Sequence, residues 1–156
     1  MSDYSFDFLN KKGVFDRVHL WLSYFGGKRK STIEDLDRVM TLEVDEALLD
    51  GFYESGLAEL RLAFGARYAY MLTLRGARKE KASRKEAAES LLAEQLAMQI
   101  AADWLFVVGE TEAAGNLREM ISEKFRLLDS YLPVIPAAEE ADTHRKIASP
   151  RRVSPI

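Results

Sequence analysis

"LLAEQLAMQIAADWLFVVG", residues 91–109, decides how the rest of this sequence is read. It is almost entirely apolar and close to the length that spans a bilayer. Glu94, Gln95, Gln99 and Asp103 interrupt it, however. Ionisable side chains are costly in hydrocarbon, so the stretch predicts a buried central helix and not a membrane span. Ala93, Ala97 and Ala101 form a small-residue seam along which another backbone can approach. Gly109 closes the helix, because glycine accepts the left-handed geometry of a C-terminal cap.

A central helix needs partners, and the flanking sequence supplies them. Leu49, Tyr53, Leu57, Leu60, Phe64, Tyr68 and Met71 recur at threes and fours, one face of a long helix opened by Asp45. Gly51, Gly56 and Gly65 interrupt it, each at a cost of about 1 kcal/mol relative to alanine. They imply a bend, a break, or a close approach. Upstream, Val14, Val18, Trp21, Leu22 and Phe25 form a shorter helix that the pair Gly26-Gly27 is expected to end. Ser31 with Glu34 has capping-box spacing and opens another, with Ile33, Leu36, Val39 and Met40 on its buried stripe. Downstream, Leu117, Met120, Ile121, Leu128 and Tyr131 mark a last helix between Thr111 and Pro133.

The expected fold is all-α: a single-domain bundle of about five helices over residues 1–133, with residues 1–13 as an extended arm and 134–156 as a flexible tail. Tyr4, Phe6 and Phe8 alternate with polar residues, a period that suits an arm laid on the bundle or swapped into a second copy. The tail has no aromatic residue and carries Ser149-Pro150 and Ser154-Pro155.

Function classes narrow by elimination. The 156 residues contain no cysteine, which excludes disulfides, thiolate nucleophiles and Cys-ligated zinc. The N-terminus lacks the basic start and apolar run of a secretory signal, so the expected location is the cytoplasm. No Walker A loop, Gly-x-Gly-x-x-Gly, Gly-x-Ser-x-Gly or Glu-x-x-His pair occurs. His19 and His144 are the only histidines, and His19 reads as a packed or boundary residue. No cofactor, metal or catalytic centre is expected.

Two basic clusters stand out against the net charge of −3. Arg75, Arg78, Lys79, Lys81, Arg84 and Lys85 fall within eleven positions that contain one acid, Glu80. They read as a solvated joint between helices, with a new helix starting near Ser83, or as an anion-binding patch. No aromatic residue interleaves them to stack bases. Lys28, Arg29 and Lys30 precede the Ser31 cap. A DNA-reading helix there is disfavoured, because Glu34, Asp35 and Asp37 would repel phosphate.

Gln95, Gln99 and Asp103 recur every four residues on the central helix, beside Trp104. This row is either a narrow solvent edge or a polar seam at a contact, partnered from Arg61, Arg67 or Tyr70. The sequence therefore favours a non-catalytic protein-interaction module: an adaptor, regulator or chaperone-like accessory subunit. Its candidate surface is Tyr4, Phe6, Phe8, Gln95, Gln99, Asp103 and Trp104, and its partner is another protein or a second copy. A nucleic-acid accessory protein using both basic clusters is the alternative. A small-molecule bundle lined by Phe64, Tyr68 and Trp104 is the third reading.

Overall fold

The computed structural model describes residues 6–29 and 46–136. Five helical segments lie in this order: α1 (Lys11–Arg29), α2 (Glu46–Leu60), α3 (Ala66–Thr73), α4 (Arg78–Val107) and α5 (Thr111–Tyr131). A π-helical turn, Arg61–Gly65, joins α2 to α3, so the described residues form four helical rods. All regular structure among them is helical. The expected helix from Ser31, the expected cap residue Asp45, Tyr4, Lys30 and the tail beyond residue 136 lie outside the described residues.

α4 is the hub, and α5, α1, α2 and α3 all pack on it. Its second half is buried nearly all round, at Leu92, Gln95–Met98, Ile100–Ala102, Trp104 and Leu105. Pairs of opposed side chains set the directions. Gln99 meets Glu59 and Tyr68 meets Glu89, so the α2–α3 rod runs antiparallel to α4. Asp103 meets Arg118 and the Tyr131 hydroxyl faces the Arg84 carbonyl, so α5 likewise returns antiparallel. A Cβ at Gly56 would meet Leu96 Cδ1 at 2.7 Å, so this glycine lets α2 lie close on α4.

Local chemistry explains the boundaries, including those that differ from expectation. Asn10 Oδ1 accepts the Gly13 amide at 2.8 Å, an N-cap that starts α1 at Lys11 and leaves only a turn at residues 6–10. The segment 1–13 is thus not uniformly extended. α1 also continues through Gly26-Gly27 to Arg29, so the tandem glycines do not stop it. α4 begins at Arg78 instead of Ser83, with no side-chain cap, because Arg-Lys-Glu-Lys-Ala are all good helix formers. The basic joint accordingly shrinks to residues 74–77. At the far end, Gly109 at φ 90° lets its amide bond Phe106 O and the Glu110 amide bond Leu105 O, a complete Schellman closure.

The π turn answers the glycine question for this rod. Leu60, Phe64 and Tyr68 are spaced four apart, and over two such steps a pure α-helix would drift by roughly 80°. One wider turn keeps all three on the core side.

Candidate interaction surfaces

α1 buries Val14, Val18, Leu22 and Phe25 toward the hub. One step round the helix, Arg17 and Trp21 stand one turn apart and share a single acceptor on α4. Arg17 Nη1 donates to Glu94 Oε1 at 2.7 Å, and Trp21 Nε1 donates to Glu94 Oε2. The carboxylate is thus held through both oxygens, and it fixes the indole in place. One step further out, Leu20 and Tyr24 are 70% and 50% exposed. Tyr24 sits edge-on to Trp21 with centroids 6.2 Å apart. With Met120 of α5, these residues line a groove of about 420 Å³. Its walls are apolar and its floor carries a satisfied ion pair, a composition suited to an amphipathic helix or loop.

The residues singled out in the sequence do not gather into one surface. Phe6 is buried and Phe8 half-buried, and both rings lie against Tyr68 at 5.7 and 5.4 Å. They cover the bundle's own core, so an arm that engages a partner would first have to leave it. Trp104 is buried in the core. The polar row divides along its length. Gln95 is 2% exposed and its Oε1 has no hydrogen-bond partner among the described residues. Gln99 Nε2 donates to Glu59 Oε1, and Asp103 accepts from Arg118 Nη2 at 3.1 Å. Partial burial pushes the Asp103 carboxyl above its ordinary pKa, opposed by Arg118. The row therefore lies along α4 between α2 and α5, with its last two members at a solvent edge. Its partners are Glu59 and Arg118, not Arg61, Arg67 or Tyr70.

Arg67 has a different role. Its guanidinium reaches the end of α5, donating to Asp129 Oδ1 at 2.6 Å, Leu132 O at 2.6 Å, Pro133 O at 3.1 Å and the Asp129 carbonyl. Three of these acceptors are main-chain carbonyls at and just beyond a helix C-terminus, where intrahelical partners run out. Phe64, Tyr68 and Trp104, expected to line a pocket, are all buried. Phe64 packs on Phe125 at 4.9 Å, and all three are core residues. His19 is exposed, not packed.

The basic cluster is built on the first turns of α4. Arg75, Arg78, Lys79 and Lys81 are exposed, while Lys85 pairs with Glu89 at 3.1 Å. A second groove, of about 310 Å³, runs where α3 ends, lined by Met71, Leu72, Lys81, Ala82, Arg84 and Lys85. Lys28 and Arg29 lie in the last turn of α1, and their side chains are outside the described residues.

Sequence periodicity missed Leu20 and Tyr24. Their only signal was an apolar pair four residues apart lying off the buried stripe. Among the described residues no three His, Asp or Glu side chains are placed to hold a metal, and no helix is long and apolar enough to cross a membrane. No family model matches the chain, and it matches no curated protein and no solved structure.

Proposed function

We propose that this chain is a non-catalytic, protein-binding helical module whose working surface is the α1 groove. The observation that carries this reading is the pairing of Leu20 and Tyr24, both exposed, with a Trp21 whose indole is fixed by Glu94. Exposed apolar side chains on a rigid base lose little conformational freedom when covered, which is the profile of an interface anchor. The partner is another polypeptide that inserts an apolar side chain between Leu20, Tyr24 and Met120.

Affinity capture from the source lysate, with and without nuclease, tests this. Wild type should retain a specific protein in both halves, and the Leu20→Asp/Tyr24→Asp variant should lose it. Because both side chains are exposed, the variant should keep its fold, which circular dichroism checks. Capture that disappears on nuclease treatment, or that survives the double substitution, contradicts the reading.

A further inference from the structure

The groove at the α3–α4 corner has a composition of its own and stands independent of the α1 surface. Met71 and Leu72 come from the last turn of α3, and Ala82 comes from the second turn of α4. Leu72 is 40% exposed, so apolar surface opens to solvent there. Cations line its α4 side, Lys85 among them sharing its charge with Glu89 at 3.1 Å. Lys81, Arg84 and Lys85 belong to the groove wall, while Arg78 and Lys79 flank it on the same helix. Arg78, Lys81, Ala82 and Lys85 follow i, i+3, i+4, i+7 spacing, so three positive charges and one small apolar contact share one face of α4. That stripe is about 10 Å long at 1.5 Å per residue, the length of two helical turns on a partner.

We infer that this corner binds an acidic, amphipathic peptide segment of another protein. Its apolar side chain rests on Met71, Leu72 and Ala82, and its carboxylates face Lys81, Arg84 and Lys85. Charge complementarity selects the acidic partner, and the apolar floor selects a peptide over a nucleic acid. A phosphate backbone would gain from the cations but leave Leu72 uncovered, and no groove residue is an aromatic ring on which bases stack. Carboxylates on successive turns of a helix match cations on successive turns of α4, and the intervening apolar residue completes the fit.

Fluorescence anisotropy with a short fluorescein-labelled helical peptide of glutamate and leucine tests this. One control peptide has its leucines replaced by glutamine, and a second probe is a single-stranded oligonucleotide. Wild type should bind the glutamate–leucine peptide in a salt-sensitive manner. Lys81→Glu/Lys85→Gln should weaken binding about tenfold, and Leu72→Asp about fivefold, equal to roughly 1.4 and 1 kcal/mol. The glutamine control should bind about fivefold more weakly than the leucine peptide. All three substituted residues are solvent-exposed, so the variants should fold as wild type does. Tighter binding of the oligonucleotide than of the leucine peptide overturns the inference, as does equal binding by Leu72→Asp or no peptide binding at low salt. Sedimentation that shows self-association through Lys81 and Leu72 assigns the corner to a second copy and overturns it as well.

Discussion

Single residues fix this bundle at places where the general pattern allows several outcomes. Gly56 has Leu96 Cδ1 in its way, and because Leu96 is fully buried its side chain must repack within the core to make room, whereas Gly51 and Gly115 face open space. Gly56→Ala should therefore destabilise the protein by about 1 kcal/mol, the overpacking cost outweighing the gain in helix propensity. Gly51→Ala and Gly115→Ala should each stabilise it by about 0.5–1 kcal/mol. Urea unfolding of the three variants gives the comparison, and a stabilising Gly56→Ala would contradict the close approach of α2 to α4. Tyr68 offers a test through pH. Burial, then its hydrogen bond to the Glu89 carboxylate, hold its hydroxyl above the ordinary 10.0. The folded chain keeps this proton where the unfolded chain releases it. The contribution is complete below about pH 10 and is lost as pH rises further. Tyr68→Phe should cost about 1 kcal/mol at pH 7, because Glu89 keeps Lys85 as a partner. The gap to wild type should narrow above pH 10, and a gap that widens there would contradict the assignment.

At the scale of elements, the sequence identified what burial dictates and missed what distant polar groups dictate. The hub character of α4 was legible because its apolar residues exceed any one face, and Gly109 marked its end. The start of α1 was not, since Asn10-Lys11-Lys12-Gly13 reads as a loop until the Asn10 side chain is seen on the Gly13 amide. Periodicity did not reveal the π turn, because Leu57, Leu60, Phe64, Tyr68 and Met71 recur at the threes and fours of an ordinary amphipathic α-helix. Arg67 was missed as a clasp because its acceptors lie more than sixty residues away, mostly on main-chain carbonyls. Arg67→Ala should destabilise by about 2–4 kcal/mol, and hydrogen exchange should accelerate first in the last turn of α5. Arg67→Lys should recover less than half of that loss, since an ammonium lacks the planar fork that reaches several acceptors at once. Full recovery by lysine would reduce the clasp to a simple charge effect.

For the whole molecule, the described residues form a bundle built on α4, with grooves on two parts of its surface. The α1 groove is largely apolar over a fixed ion pair, and the α3–α4 corner sets apolar α3 residues against cations on α4. Only the second was singled out in the sequence, as a run of charge, since charge clusters show locally. The first needed the fold, because exposure of Leu20 and Tyr24 depends on which neighbours α1 finds. The most direct test of the central claim places a photoreactive amino acid at Leu20, with Ser55 on α2 as an exposed control. Irradiation in lysate should give a discrete cross-linked adduct to one polypeptide from position 20 and none from position 55. No adduct from position 20, or the same adducts from both positions, would contradict a protein-binding groove on α1.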